Sequence, residues 1–87
     1  MNLCILLGKV ISEVEFKFIL KGKHKSIAYF ELELMNKSIV KVKAYDGMAD
    51  YVYRKLKIGA TVIVEGEIKS NGSVFLQKYF SIYAIYI

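Results

Sequence analysis

The chain has no proline and no tryptophan, and only one cysteine, one histidine and one arginine. Each scarcity excludes something. A lone cysteine cannot close an intramolecular disulfide or supply a thiolate cluster for a metal, which suits a reducing compartment and an expected cytoplasmic location. The lone histidine, His24, lies in a lysine-rich turn, and no candidate nucleophile or carboxylate is expected to be fixed beside it. No glycine-rich phosphate loop or metal-ligand spacing occurs either, so neither an enzyme nor a bound cofactor or metal is expected. No apolar run approaches the ~18–20 residues that a membrane span needs. The strongest candidate, 79–87, is short and contains Ser81. The apolar stretch 4–7 has no basic region before it, so a secretory signal is not expected. Without repeats or a linker-like segment, the 87 residues are expected to form one domain, 1–87.

Apolar material, by contrast, is abundant. Hydrophobic residues make up 55% of the chain, more than one small core can hide, so intrinsic disorder is excluded. Thirteen Lys and Arg oppose eight Asp and Glu, a formal charge of +5, and twelve of those thirteen cations are lysines. A small basic domain favours polyanionic partners, nucleic acid before a membrane surface. Lysine is a mobile point charge, whereas arginine reads base edges and phosphate forks, so the composition suits backbone neutralisation better than sequence reading.

Strand patterning dominates the chain. Residues 3–11 are apolar on both faces: Cys4, Leu6 and Val10 on one, Leu3, Ile5, Leu7 and Ile11 on the other. Such a strand belongs in mid-sheet, between two sheets or at an interface, and Gly8 suits a bend where it serves two sheets. Val14, Phe16 and Phe18 alternate with Glu13, Glu15 and Lys17 before a polar turn carrying Lys21, Lys23 and Lys25. Residues 26–35 alternate strictly, with Ala28, Phe30, Leu32 and Leu34 on one face and Tyr29, Glu31 and Glu33 on the other. A three-residue loop, 36–38, would pair Leu34 with Val40 and Leu32 with Val42 on the apolar face, and Glu33 with Lys41, Glu31 with Lys43 and Tyr29 with Tyr45 on the other. A two-residue loop would mix the faces. Asp46 is placed to cap a helix over 47–58, with Met48, Tyr51, Val52, Lys55 and Leu56 on one stripe and Gly59 as its end. Residues 61–70 form the next strand, Asn71-Gly72 signals a tight hairpin, and 74–87 make the last strand or strand pair. The order β-β-β-α-β-β predicts an all-β fold: a five-stranded Greek-key barrel of the oligonucleotide/oligosaccharide-binding (OB) type, with one short helix between strands 3 and 4.

Several stretches resemble the bacterial single-stranded-DNA-binding protein family. They are Met1-Asn-Leu-Cys-Ile-Leu-Leu-Gly-Lys-Val10, then Ser12-Glu-Val-Glu-Phe-Lys-Phe18 with Lys21-Gly22, then Ala44-Tyr-Asp-Gly-Met-Ala-Asp50. The fourth, Leu56-Lys-Ile-Gly-Ala-Thr-Val-Ile-Val-Glu-Gly-Glu-Ile68, follows the family's Leu-x-x-Gly-x-x-Val-x-Val-x-Gly pattern. The resemblance implies sequence-independent binding of single-stranded DNA, or RNA, in replication, repair or recombination, by a homodimer or homotetramer assembled through first strands and sheet faces. It also implies that Tyr45 occupies a base-stacking position. The chain departs from the family in four places. Ile39 stands where the family commonly has Trp, Val14 replaces a usual proline, and both hairpin loops are short; an acidic tip for recruiting other enzymes is not expected either. The shortened loops and Ile39 keep a second reading open, an OB protein-interaction module of primosomal or phage type with little DNA affinity.

Physically, single-strand binding needs aromatic faces and cations on one surface. The candidates are Tyr45, Tyr29, Lys41, Lys43, Lys21, Lys23 and Lys25. The bland alternatives are a tyrosine pair sealing the sheet, with Glu31 and Glu33 neutralising the lysines, and a merely solvated turn. Tyr51 and the last-strand tyrosines read as packing or interface residues. The doubly apolar first strand and the uncharged 79–87 tail predict an oligomer, most simply a two-fold dimer.

Overall fold

A computed structural model describes residues 3–70 and 78–87. The strands are β1 (Leu3–Val10), β2 (Glu15–Phe18), β3 (Ser26–Leu34), β4 (Ile39–Tyr45), β5 (Thr61–Ser70) and β6 (Lys78–Tyr86), with one helix, α1 (Asp46–Lys55), between β4 and β5. The sheet runs β1-β5-β6-β4-β3-β2, and a further β1–β3 pairing closes the first five of these into a barrel. All the pairings are antiparallel except β4 with β6. This is the OB fold that the segment order predicts. The alternating segment after β1 becomes β2, a short edge strand outside the barrel that, among the described residues, pairs with β3 alone. The Asn71-Gly72 turn and residues 74–77 of the expected last strand lie outside the described residues.

Closure depends on one strand pairing on both edges. Gly8 of β1 lies opposite Val62 of β5 on one side and Leu34 of β3 on the other. A Cβ there would stand 2.6 Å from Leu32 Cγ and 2.8 Å from the Glu33 carbonyl oxygen, so the crowded crossing requires glycine. Gly66 plays the same part on β5, beside a register shift where β6 bulges. Its missing Cβ would fall on the Ser81 carbonyl oxygen. The inward faces of β3 and β4 meet inside as Ala28, Phe30, Leu32, Val42 and Ala44, with Val62, Val64, Phe80 and Ile82 from the remaining wall.

Three local expectations need correction. The β3–β4 loop has three residues, but they are 35–37, since Leu34 N–H donates to the Ser38 carbonyl at 2.9 Å. Asn36 Oδ1 accepts the Ser38 N–H at 3.0 Å, and Lys37 takes a left-handed φ of 72° at the loop's third position. Every cross-strand partner therefore shifts by two residues, which leaves each side chain on its expected face but changes its partner. The helix ends at Lys55, its buried residues are Ala49 and Val52, and Leu56 is buried just past its end, with Tyr51 outside. Finally, Asp46 does not cap α1: no side-chain cap is made, and its carboxylate serves another segment.

The outer face of β1 is not buried by its own chain. Leu3, Ile5 and Leu7 are 54%, 65% and 46% exposed, while Cys4, Leu6 and Val10 point inward. The uncharged tail, in contrast, is already satisfied: β6 pairs with β5 along its length and with β4 at Phe80 and Ser81.

Candidate functional site

The outward residues of β3 and β4 form the first half of the site. In the observed register Tyr29 lies opposite Lys43, Glu31 opposite Lys41, Glu33 opposite Ile39 and Ile27 opposite Tyr45. The expected Tyr29–Tyr45 pair is therefore not formed. Tyr29 instead meets Lys17 of the edge strand, whose Nζ stands 5.5 Å from the ring centroid. A hydrogen bond with the Tyr29 hydroxyl raises the pKa of Lys17 above the ordinary lysine value. Lys41 is exposed and Lys43 half-buried, and both line a groove with Glu13, Glu15, Tyr29 and Glu31.

Parallel pairing with β4 brings β6 onto the same surface. Lys43 lies opposite Ser81, and its Nζ stands 4.0 Å above the Tyr79 ring, a close cation–π contact. Tyr79 in turn hydrogen-bonds the Tyr45 side chain. Burial first, and that bond second, raise the Tyr45 pKa, so the phenol is neutral at physiological pH. On β5, Lys69 Nζ pairs with Glu67 Oε1 at 2.6 Å. That pairing and a bond from the Tyr83 hydroxyl hold the Glu67 carboxyl below the usual range. Lys69, two residues along the same strand, is thus the cation beside Glu67. A cleft of about 380 Å³ opens between His24, Tyr45, Tyr79, Tyr83 and Lys69.

The 21–25 turn covers one end of this face. The His24 ring stacks on Tyr45 with centroids 4.2 Å apart and planes 23° from parallel. Asp46 anchors it: Oδ1 accepts the Lys25 N–H at 2.7 Å and the Ser26 N–H at 3.4 Å, while Oδ2 takes His24 Nδ1 at 2.8 Å. These bonds, the histidine's foremost, hold the Asp46 carboxyl below the ordinary aspartate value. Asp46 itself adopts a left-handed φ of 55°, a conformation that Asp tolerates better than most residues. So His24 does have a fixed carboxylate beside it, supplied from twenty-two residues away in sequence.

The structure therefore collects Tyr29, Lys41, Lys43 and Tyr45 on one surface and sets the 21–25 turn against its Tyr45 end. Lys23 and Lys25 flank Asp46 there, and Lys21 is exposed in the same turn. It adds Tyr79, Lys69, Lys17 and His24, which the sequence does not single out. Tyr79 in particular, expected as a packing or interface residue, stands against Lys43 and bonds Tyr45 on this surface. Only the β4–β6 parallel pairing reveals this, and no local pattern announces such a pairing. Among the described residues, no three of His, Cys, Asp and Glu gather as metal ligands, and no helix is long and apolar enough to cross a membrane.

No protein-family model matches the sequence, and no curated protein does. The fold is nonetheless shared with solved structures. The SSB domain of a Synechococcus protein superposes with a TM-score of 0.88 at 17% identity, covering 100% of this chain and 96% of that one. The small single-stranded DNA-binding protein of Streptomyces coelicolor gives 0.79 at 19% identity, covering 98% and 92%. The single-stranded DNA-binding protein of Thermus aquaticus gives 0.84 at 16% identity over 99% of this chain, which spans only 39% of that protein. These likenesses show the fold.

Proposed function

We propose that this chain binds single-stranded DNA, or RNA of the same form, without sequence preference across the outer face of β3, β4 and β6. The proposed role is binding without catalysis. The observation that carries it is the ammonium of Lys43 seated over Tyr79, beside Tyr45, on the open face of an OB barrel. Alternating cations and aromatic faces is what a single strand requires, since phosphates need neutralising and each unstacked base offers a π surface. Lys41, Lys43 and Lys69 supply charge along the face, and Lys21, Lys23 and Lys25 extend it at the 21–25 turn. Tyr29, Tyr45 and Tyr79 supply the rings. The likeness to proteins described as single-stranded-DNA-binding supports the reading. A cytoplasmic role in replication, repair or recombination follows from it.

We further propose that the working form is a homodimer or homotetramer, with the exposed outer face of β1 in the interface. Leu7 there lies opposite the exposed Ile63 of β5, while Ile5 and Leu3 lie opposite Glu65 and Glu67. This same face, with the short β3–β4 loop and the exposed Ile39, favours the protein-interaction reading. Fluorescence polarisation of labelled oligo-dT, with duplex DNA as competitor, separates the two. Saturable binding that duplex fails to displace supports the nucleic-acid reading. Absence of binding at low salt, or preference for duplex, overturns it.

A further inference from the structure

His24 occupies the position where a nucleic-acid base would be expected to meet Tyr45. Its ring already lies on the tyrosine at stacking distance, so that face of Tyr45 is taken in the free protein. A base approaching this end either evicts the imidazole or stacks on its outer side. The way the imidazole is held decides between these. Asp46 fixes it through Nδ1 and, with its other oxygen, clamps the backbone of Lys25 in the same turn. Eviction would break the His24–Asp46 bond and strip the carboxylate of its foremost partner. Stacking on the outer side breaks nothing, and the histidine side chain is 39% exposed, so part of it is open to a ligand.

Resting on the nucleic-acid reading above, we propose that His24 is itself a nucleic-acid-binding residue, the outermost ring of a His24–Tyr45 stack that receives a base, and that Asp46 is its positioning residue. The ionised Asp46 carboxylate can only accept, so Nδ1 carries the proton donated to Oδ2. The imidazole is thereby locked in plane and tautomer before any base arrives, which lowers the ordering cost of binding. The sequence shows none of this, because His24 and Asp46 meet only through the β3–β4 pairing that sets Ile27 beside Tyr45.

The chain has one histidine, so its imidazole resonances need no assignment. On titrating the intact protein with oligo-dT, the His24 ring protons should move upfield, as they do beneath a stacked base. In parallel, His24→Ala and His24→Leu should each weaken oligo-dT binding by about five- to thirtyfold, the lower part of the range for a lost base stack. His24→Phe should restore affinity to within about threefold, because it returns a π face of similar reach. Asp46→Asn should weaken binding less than His24→Ala and shift the imidazole nitrogen signals, reporting loss of the fixed tautomer. Alanine binding as tightly as wild type, or more tightly, would show that His24 merely covers Tyr45 and would overturn the proposal, as would failure of phenylalanine to rescue. If the wild-type chain does not bind oligo-dT at all, the nucleic-acid reading itself fails and this proposal fails with it.

Discussion

The proposed binding rests on single residues, and their substitutions separate binding from folding. Tyr79→Ala removes a ring that is half-buried on the outer face while the barrel interior is untouched. Its loss should cost about 1–3 kcal/mol of oligo-dT affinity, read by polarisation, with a smaller change in melting temperature. Lys43→Gln should instead reduce the slope of log K against log salt by about one, since it removes one phosphate-neutralising charge. Asp46 offers a pH signature. Its carboxyl titrates below the ordinary aspartate value in the folded chain, so the folded state favours the ionised form. That contribution is fully present above the unfolded aspartate pKa of about 4 and is lost as pH falls through the lowered value. Urea midpoints should show wild type more stable than Asp46→Asn at neutral pH, with the gap closing below about pH 4. At this scale the sequence was half legible. Tyr45, Lys41 and Lys43 declare themselves by alternation on one strand, whereas Tyr79 and the His24–Asp46 bond depend on contacts between distant segments.

At the level of elements, alternation told which face each strand buries but not which residue faces which. The β3–β4 hairpin shows why. A one-residue slip would have inverted every side chain and was excluded, but a two-residue shift preserves the faces and is invisible to that test. The deciding interaction, Asn36 Oδ1 with the Ser38 N–H, is local yet competes with an alternative loop of equal length. Asp46 misleads for a related reason: it has the right identity for a helix cap, but tertiary partners claim its carboxylate. Gly8 was readable as a strand bend. Gly66 was not, because its need arises from a bulge on the neighbouring strand. Gly66→Ala should therefore destabilise the barrel by about 3 kcal/mol or more, since backbone must move to admit the methyl. Gly47→Ala is the control. Nothing lies within 4 Å of a Cβ there, and alanine on α1 should be neutral or stabilise by up to about 1 kcal/mol in thermal melts.

The whole molecule presents two unlike surfaces, a face of lysines and tyrosines and an apolar strip along the outside of β1. The OB layout was legible because segment order and helix position point to few topologies. The apolar strip was foreseen from the double-sided pattern of β1, although the tail expected to share in it pairs within its own barrel. Ile5→Lys places a charge in the middle of that strip and should convert the oligomer to a ~10 kDa species by light scattering, leaving the barrel folded. A wild-type chain already monomeric at micromolar concentration would contradict the oligomer. The nucleic-acid face itself is tested most directly by photocrosslinking an oligonucleotide carrying bromodeoxyuridine to the intact protein and mapping the adducts by mass spectrometry. The predicted adducts lie on Tyr29, on His24 or Tyr45, and on Tyr79. Efficient crosslinking confined to Tyr51, Tyr53 or Tyr86, away from the Lys43–Tyr79 contact, would contradict the placement of the strand on β3, β4 and β6.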